Sequence, residues 1–321
     1  MNIVLGQPYS YSEIGKKKNN EDYVYPPKDK VSVDDRLFVL CDGVGGQERG
    51  EVASKTVCEA LGYYFKQNVS SEINSSEQAK DLFLKALAFA YEEIDKKDKP
   101  EDIQKMATTL TLSYFYGSSC LVAHIGDSRV YHVRPNKGIL FQTTDHSLVN
   151  DLIKVGELTV ESAKTYPHRN VITRAVQPHQ EHPTKADISI INDLQAGDYI
   201  FMCSDGVLEH IDNEKLLSIL SSTETDEEKV QTIKKLCLTS ETRDNNTCFL
   251  IPIKENKTED KEKTIPNKVP IRKKKKKQKK TKRKFIIVIL LLIIVCICYA
   301  FYNHKKELKK EWHRIEMIKI R

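Results

Sequence analysis

Four aspartates in this 321-residue chain stand at the ends of short apolar runs, and this arrangement restricts the fold strongly. They are Asp42, Asp127, Asp205 and Asp244. A short apolar run is typical of a buried strand, and a carboxylate at its end, beside Gly or Asn, can leave the core and point into a cleft. A single Asp-Gly pair more often marks a turn. Carboxylates that converge from several strands, however, predict a site for hard divalent cations such as Mg²⁺ or Mn²⁺.

Runs rich in Val, Ile, Leu, Phe and Tyr, bounded by turn residues, predict strands in the first 253 residues. They are Arg36–Cys41, Thr108–Phe115, Ser119–Ile125, Val130–Arg134, Tyr199–Cys203 and Thr247–Ile253. Apolar residues on one face predict helices at Glu51–Gln67, Ser76–Lys97 and Glu227–Thr239. Ser75 and Gln78 predict a capping box at the start of the second helix. Helices and strands come in blocks, which favours an α+β fold over a doubly wound parallel sheet.

Charge divides the chain into two parts. Residues 1–253 carry a net charge of −10 and residues 254–321 one of +16, which together give the overall +6. We assign residues 1–253 to the folded domain. Residues 254–284 form a polar and then polybasic linker, in which Arg272–Lys284 holds 11 basic residues in 13.

The segment Phe285–Tyr302 has no charged residue and consists mostly of Ile, Leu and Val. As a helix it would be about 27 Å long, close to the roughly 30 Å of a bilayer core. A buried core helix is the alternative, but such a helix normally keeps a polar face. We therefore predict a C-terminal transmembrane helix at 285–302. Residues 303–321 form a short tail, whose Leu308, Trp312 and Ile315 recur near the spacing of an interfacial helix.

The basic run next to this span has two interpretations. A basic tail can bind nucleic acid, but no aromatic residue interleaves with these lysines to stack on bases. Under the positive-inside rule the run places the folded domain in the cytoplasm, and its lysines can also contact anionic lipid headgroups. We predict a single-pass membrane protein with a cytoplasmic domain. The eight cysteines form no disulfide or zinc pattern, which agrees with a reducing compartment.

The motifs of residues 1–253 resemble the bacterial form of the PPM (type 2C) family of metal-dependent protein serine/threonine phosphatases. They occur in the family's order along the chain. They are Asn20-Glu21-Asp22, Asp42-Gly43-Val44-Gly45-Gly46, Gly50–Ser54, Ala107–Leu110, Gly126-Asp127-Ser128-Arg129, Thr144–Ser147, Ile172–Val176, Ser204–Val207 and Asp244–Thr247.

The resemblance implies two stacked antiparallel β-sheets flanked by helices on both faces, with a flap at about 145–185. It also implies hydrolysis of phosphoserine and phosphothreonine in proteins by a water held between two Mn²⁺ or Mg²⁺ ions, whose pKa the ions lower.

The resemblance also implies the site residues. Asp42 bridges the two metals and Gly43 offers its carbonyl oxygen, while Asp205 and Asp244 complete one metal site. Glu21 contacts the second metal directly or through water, with Asp22 behind it. Asp127, with Asp205, matches the site of a weaker third metal. Asn245 is a candidate for orienting ligands or water. We interpret Asp145-His146 as a structural turn and leave it outside the catalytic set.

The chain departs from the family pattern at two positions. Lys17 stands where bacterial members have an arginine that clamps the substrate phosphate, so we place Lys17 in the catalytic set. Lys attracts phosphate as a point charge but lacks the planar fork of Arg, and Lys16 and Lys18 are candidates to share the task. Val44 stands where eukaryotic members have a histidine.

Two alternatives remain open at this stage. The chain could be a pseudophosphatase that binds phosphoproteins as a regulatory module, although all four aspartates are present. It could also be a regulator that acts on one dedicated partner of the anti-sigma type.

Overall fold

The computed structural model describes residues 3–44, 49–69, 73–99, 106–239 and 242–256. Its strands are β1 (Ile3–Leu5), β2 (Tyr9–Glu13), β3 (Asp22–Tyr25), β4 (Leu37–Asp42), β5 (Leu110–Tyr116), β6 (Ser119–Ile125), β7 (Arg129–Arg134), β8 (Gly138–Gln142), β9 (Asp187–Ile191), β10 (Tyr199–Cys203) and β11 (Asn246–Asn256). Its α-helices are α1 (Gly50–Asn68), α2 (Ser76–Lys97), α3 (Leu148–Lys154), α4 (Val160–Ala163), α5 (Asp205–Leu208), α6 (Asn213–Leu220) and α7 (Asp226–Cys237). A turn of 3₁₀ helix occupies Lys28–Lys30.

The described strands form two sheets in which every pairing is antiparallel. The first sheet has the order β1-β11-β10-β7-β8, and β2 also pairs with β11. The second sheet has the order β3-β4-β5-β6-β9. Consecutive strands that pair directly, such as β5 with β6, need only a tight turn, which is why blocks of strands in the sequence predict antiparallel sheets.

The two sheets pack face to face through large apolar side chains. The ring of Phe38 in β4 meets Phe115 at 5.9 Å and Phe249 of the opposite sheet at 5.5 Å between centroids, both edge-on. Edge-on contacts at this distance are favourable for aromatic rings. Full burial of each such side chain contributes about 1.5–3 kcal/mol. This layer therefore fixes the two sheets against each other.

Helices cover the outer faces of both sheets. Val39 of β4 points away from Phe38, into a cluster formed with α1 and α2. On the other side, Phe201 of β10 packs against residues of α6 and α7. The residues of β4 before Asp42 form a continuous apolar run. Such a run is typical of a strand that is buried on both faces, and β4 is buried in this way. The predicted arrangement of two antiparallel sheets between helices is confirmed.

Most of the predicted elements form within one or two residues of their expected bounds. The strand at Ser119–Ile125 and the helix at Ser76–Lys97 have the bounds that the sequence predicts. The capping box of α2 is present: the Gln78 N–H donates to Ser75 Oγ at 3.2 Å, and the Ser75 N–H donates to Gln78 Oε1 at 3.2 Å. The predicted strand at Thr108 starts later, at Leu110, because Thr108 makes isolated bridges to Gly43 and Val176 instead.

The range 145–185 between β8 and β9 holds the short helices α3 and α4 and no strand. Its two ends are joined by the Leu148 N–H, which donates to the Val171 carbonyl oxygen at 2.9 Å, and by a bridge between Ser147 and Ile172. This range is the one in which the family resemblance predicts a flap, and we keep the name flap for it. Its closed base keeps it next to the strand ends that carry the aspartates.

Strand β11 continues to Asn256, three residues past the predicted end of the domain. Ile3 and Val4 of β1 pair with Asn256 and Glu255, so these residues belong to the sheet. Residues from 257 onward lie outside the described part of the chain. They include the rest of the predicted linker, the predicted transmembrane helix and the tail. Within the described part of the chain, no helix has the length and apolar character of a membrane span.

Candidate metal centre

The predicted site residues come together at one end of both sheets. Asp42 ends β4, and Asp22 begins β3 directly opposite it in the antiparallel register. Asp205 opens α5 just beyond the end of β10, and Asp244 lies just before the start of β11. Asp127 follows β6. Antiparallel neighbours bring the end of one strand beside the start of the next, so carboxylates distant in sequence meet here.

The backbone of Asp42 is held by two threonines of the Ala107–Leu110 motif. Thr109 Oγ1 accepts from the Asp42 N–H at 3.0 Å, and the Thr109 N–H donates to the Asp42 carbonyl oxygen at 2.8 Å. Thr108 Oγ1 donates to the same carbonyl oxygen at 2.9 Å. These bonds fix the direction in which the Asp42 carboxylate leaves the strand. The sequence analysis gave these threonines no role beyond membership of the motif.

Glycine is required beside Asp42 because α1 begins against this point. A Cβ on Gly43 would lie 2.5 Å from the carbonyl carbon of Gly50, the first residue of α1. A Cβ on Gly50 would in turn lie 3.2 Å from the Glu21 carboxyl group. The two glycines therefore let the helix start, the Asp42 strand end and the Glu21 side chain approach closely. The Gly43 N–H donates to the Glu21 carbonyl oxygen at 3.0 Å, which joins the two motifs.

Asp22 supports the site from behind. Its side chain is 6% exposed, and Ser204 Oγ donates to its Oδ2 at 2.8 Å. Burial, reinforced by Asp205 and Asp244, raises the pKa of Asp22 to about 7 against the hydrogen bonds from Thr247 and Ser204. Its other oxygen, Oδ1, is buried and has no hydrogen-bond partner among the residues that the structure describes. A buried carboxylate oxygen without a donor is costly, and a cation or a metal-held water would satisfy it.

The clustered carboxylates repel one another. Burial is the largest cause in each case, and neighbouring carboxylates add to it. Together they raise the pKa of Asp42 well above its ordinary value, that of Asp205 to about 6 and that of Asp127 to about 8. Perturbed acids of this kind concentrate at functional sites. Divalent cations would reverse these shifts by favouring the charged forms.

Lys17 contributes a cation at the edge of this cluster. Its Nζ lies 2.9 Å from Asp244 Oδ1 and 4.0 Å from Glu21 Oε2. Burial would lower the pKa of Lys17, but its hydrogen bond to Asp244 and the nearby charges outweigh burial, so the pKa is raised. Lys16 and Lys18 are exposed, whereas Lys17 is half-buried. The structure brings Lys17 to the carboxylates, whereas Lys16 and Lys18 point to solvent. The alternative in which the three lysines share phosphate binding equally is therefore not favoured.

Asn245 organises the loop that carries Lys17 and Glu21. Its Oδ1 accepts from the Glu21 N–H at 2.8 Å. Its Nδ2 donates to the carbonyl oxygens of Ile14 at 2.7 Å and Asn19 at 3.0 Å. The side chain is therefore used entirely in closing this loop against β11. Its role is to position the loop, which agrees in part with the prediction that Asn245 orients the ligands.

Glu51 is a site residue that the sequence analysis quoted only as part of a motif. It lies in the first turn of α1, and its Oε2 is buried without a hydrogen-bond partner in the described part of the chain. The pKa of Glu21 is raised by burial and, despite the opposing charge of Lys17, by Glu51 and Asp244. Glu51 thus adds negative charge beside Glu21. The sequence signal for it is the acidic residue that follows Gly50.

A second group of possible metal ligands lies beside the flap. The potential ligand atoms of His124, His146 and Asp187 are within 4.8 Å of one another. The Gly126 N–H, however, donates to His146 Nδ1 at 3.1 Å, so the proton of the neutral ring is on Nε2. Arg174 Nη1 also lies 3.3 Å from this Nε2. A protonated nitrogen beside a guanidinium is a poor metal ligand, and we assign no ion to this group.

A cavity of about 550 Å³ lies at the other end of β4, where Leu37, Phe65, Tyr114 and Tyr116 are among its lining residues. It shares no residue with the aspartate cluster. The thiols of Cys41 and Cys203 are also remote from solvent, since both residues are fully buried. Neither feature supplies a nucleophile to the site.

The donor atoms gathered here are carboxylate and carbonyl oxygens, which suit Mn²⁺ and Mg²⁺. A two-sheet sandwich that presents such a set at one end has the architecture of a hydrolase that works with hard cations. The chain belongs to the protein phosphatase 2C family, whose profile matches residues 10–239. It is a serine/threonine protein phosphatase, a hydrolase that acts on phosphoproteins.

Similar proteins come mainly from bacteria. The chain is 33% identical over 252 residues to a 2C-type protein phosphatase described for Streptococcus pyogenes, which covers 78% of this chain and 98% of that protein. The crystal structure of the Mycobacterium tuberculosis phosphatase PstP/Ppp has a TM-score of 0.66 and 29% identity, covering 79% of this chain and 100% of that one. The catalytic domain of PstP in complex with two manganese ions has a TM-score of 0.63 at 29% identity, with the same coverage.

Proposed function

We propose that this phosphatase hydrolyses phosphoserine and phosphothreonine in proteins at a site for two Mn²⁺ or Mg²⁺ ions. The observation that carries the proposal is the convergence of Asp42, Asp205 and Asp244 with the Oδ1 of Asp22, which has no hydrogen-bond partner among the described residues. Asp22, Asp42, Asp127 and Asp205 all have raised pKa values, and nearby cations would hold these carboxylates in their charged forms. The solved relative with two manganese ions supports the same stoichiometry.

In this proposal Asp42 would serve both ions, Asp205 and Asp244 would hold one of them, and Glu21 with the Gly43 carbonyl oxygen would hold the other. Asp127 would hold a weaker, accessory ion together with Asp205. When bound, the ions lower the pKa of a water, so that hydroxide is available near neutral pH. Thr109 and Asn245 hold the backbone of these ligands in place, and the glycines at 43 and 50 allow their close approach.

Lys17 supplies the positive charge for the substrate phosphate. Its ammonium group lies at the rim of the carboxylate cluster, and the side chain as a whole is 32% exposed, so we expect an arriving phosphate to reach it. As a point charge it attracts phosphate oxygens without the two-pronged grip of Arg. Asp244, which holds Lys17 in place at 2.9 Å, would then serve both the lysine and a metal.

Metal removal tests the reaction. We expect no turnover of a phosphothreonine peptide in EDTA, full recovery with Mn²⁺, and no recovery for Asp42→Asn. Asp81→Asn, an exposed acid in α2 that pairs with Lys85, is the matched control and should behave as wild type. Wild-type rates in EDTA would contradict the metal mechanism. A folded, Mn²⁺-binding protein without turnover on any phosphopeptide would instead support the pseudophosphatase alternative.

We further propose that residues 285–302 anchor the enzyme in a membrane, with the phosphatase domain in the cytoplasm. The support is the uncharged apolar sequence of that segment and the 11 basic residues among the 13 before it. The tether would raise the local concentration of membrane-bound substrates. Protease added to inside-out vesicles should digest the domain, and protease added to intact cells should spare it. The reverse pattern would contradict the orientation, and a full-length chain in the soluble fraction would contradict the anchor.

A further inference from the structure

Asp145 and His146, at the start of the flap, form hydrogen bonds around Asp127. His146 bonds to Gly126, just before Asp127, and Asp145 bonds to Arg129, two residues after it. His146 bonds to both backbone polar groups of Gly126: the His146 N–H donates to the Gly126 carbonyl oxygen at 2.9 Å, and His146 Nδ1 accepts from the Gly126 N–H at 3.1 Å. One residue therefore satisfies both backbone groups of the glycine that precedes Asp127. The sequence analysis treated this pair as a structural turn only.

The Gly126 turn has little freedom to move in other ways. Its φ of +106° is a conformation that favours glycine. A Cβ at this position would lie 2.6 Å from Cγ2 of Thr109. Thr109 also holds the Asp42 N–H, so the turn packs on the residue that fixes the bridging aspartate. Gly126 therefore has no room to move toward Thr109, and a shift in another direction would act on Asp127, while the Asp42 backbone keeps its own bonds to Thr109.

Asp145 holds the other side of Asp127 through Arg129. Arg129 Nε and Nη2 donate to the two carboxylate oxygens of Asp145 at 2.7 and 2.6 Å. A bidentate pair of this kind fixes orientation as well as distance. Arg129 Nη1 also donates to the Tyr131 hydroxyl at 3.1 Å, which aligns the guanidinium along β7. The backbone before and after Asp127 is thus held by two adjacent residues at the base of the flap, His146 and Asp145.

The His146 ring is itself held in one orientation. It is 3% exposed at the side chain and stacks on His124, with ring centroids 4.5 Å apart and planes at 8°. Its Nε2 faces Asp187 Oδ2 at 3.2 Å, which suits the tautomer with the proton on Nε2. The ring therefore presents Nδ1 to Gly126 as a fixed acceptor. The His146 carbonyl oxygen also accepts from the Thr173 N–H of the flap at 2.8 Å.

We propose that Asp145 and His146 are positioning residues that set the Asp127 carboxylate for the accessory metal, and that they join this site to the base of the flap. The inference rests on the proposed role of Asp127 as a metal ligand. Residues that orient a metal ligand typically change metal affinity by about 10-fold to 100-fold when they are replaced. Since the hydrogen bonds of Asp145 and His146 reach Arg129 and Gly126, and not Asp42, Asp205 or Asp244, the effect should be confined to the weak site.

Two substitutions of His146 distinguish positioning from packing. In His146→Asn the amide oxygen lies where Nδ1 was and can accept from Gly126, whereas in His146→Gln the amide reaches toward the place of Nε2 and the Gly126 N–H loses its acceptor. We expect the Gln variant to weaken the low-affinity Mn²⁺ site by about 10-fold or more, with the tight sites unchanged. The Asn variant should retain most of the wild-type affinity.

Calorimetric titration of the full-length protein with MnCl₂ measures both classes of site without reference to turnover, and the Mn²⁺ concentration for half-maximal activity provides a second readout. Asp127→Asn is titrated in parallel. If Asp127→Asn leaves the weak site intact, the assignment of Asp127 is wrong. If Asp127→Asn removes the weak site while His146→Gln leaves it intact, or if the Asn and Gln variants weaken it equally, the positioning role of His146 is overturned.

Discussion

Asp22 and Asp42 lie directly opposite each other on adjacent antiparallel strands, at the end where both strands enter the site. Like charges at directly opposed positions destabilise a sheet. Here burial is the largest cause that raises the pKa of Asp42, and Asp22 is the first of the carboxylates that add to it. The protein thus keeps, at one end of its sheets, a pair of buried acids whose mutual repulsion opposes folding.

Replacing Asp42 should separate stability from catalysis. Asp42→Asn removes one of two opposed charges, so we expect a melting temperature in EDTA equal to or above that of the wild type. The same change removes the bridging ligand, and activity with Mn²⁺ should fall by at least about 100-fold, since even outer residues of metal sites cost up to that much. Thermal denaturation and peptide dephosphorylation on the same samples check both halves. A variant that is unfolded at 25 °C would show that Asp42 is needed for the fold itself.

Lys17 should affect substrate binding and not metal binding. We expect Lys17→Ala to lower kcat/KM by about 10-fold or more, as loss of a charge-assisted hydrogen bond would. Lys17→Arg should raise kcat/KM above the wild-type value by adding a forked donor. The exposed neighbours provide matched controls, since Lys16→Ala and Lys18→Ala remove the same charge nearby. Equal effects at all three positions would indicate a general electrostatic attraction and no specific contact by Lys17.

Asp198 should stabilise the fold away from the site. It is fully buried, accepts from Arg134 Nε at 2.7 Å and contacts His132 Nε2 at 2.7 Å. Burial alone would raise the pKa of Asp198, but hydrogen bonds from Arg134 and His132 outweigh it and lower the pKa. Breaking one side of a buried ion pair typically costs about 3–5 kcal/mol, so Asp198→Asn should lower the free energy of unfolding by that order in urea titrations.

The pH dependence of this loss has a definite sign. A lowered pKa in the folded state means that Asp198 stabilises the protein above its unfolded pKa of about 3.9 and loses this effect as the pH falls through the folded value. The difference between wild type and Asp198→Asn should therefore be constant near neutral pH and shrink below about pH 4. A difference that grows on acidification would contradict the ion-pair account.

The last strand defines where the domain can be cut. Removal of residues after Asn256 should give a folded, active phosphatase, because β11 then stays complete. Removal after Ile253 deletes the partners of Ile3 and Val4 and the Asn256 side chain, whose Nδ2 donates to the Leu194 carbonyl oxygen at 2.7 Å. We expect the shorter form to lose roughly 1–3 kcal/mol of stability. Urea unfolding of the two forms makes the comparison, and equal midpoints would show that β1 does not depend on this pairing.

The sequence predicts those elements whose signal is local. The strand at Tyr199–Cys203 is a continuous apolar run, and α2 has both a regular apolar face and a capping box, so both are predicted with their bounds. Strands such as Tyr9–Glu13 were not predicted. That strand lies at the edge of a sheet, and polar residues alternate with aromatic ones along it. It forms because it pairs with β11, whose residues come more than 230 positions later in the sequence.

In the candidate site, too, residues with a local sequence signal were predicted, whereas contacts between residues distant in sequence were not. The aspartates are recognisable because each stands beside its own strand. The sequence indicated an orienting role for Asn245 but not its partners, and it indicated no such role for His146. Asn245 bonds to Glu21, 224 positions away, and His146 bonds to Gly126 at the base of the 145–185 range. A sequence pattern identifies the side chains that can bind a metal, but the contacts that orient them exist only after the sheets have packed.

Strand β11 begins beside the aspartates and runs away from them to the opposite end of the domain. Over its length the chain moves roughly 35 Å from Asp244. Asn256 therefore lies on the side of the domain remote from the carboxylates. A force applied at this end of the strand would act first on the pairing between β1 and the far end of β11, and the carboxylates would stay in register.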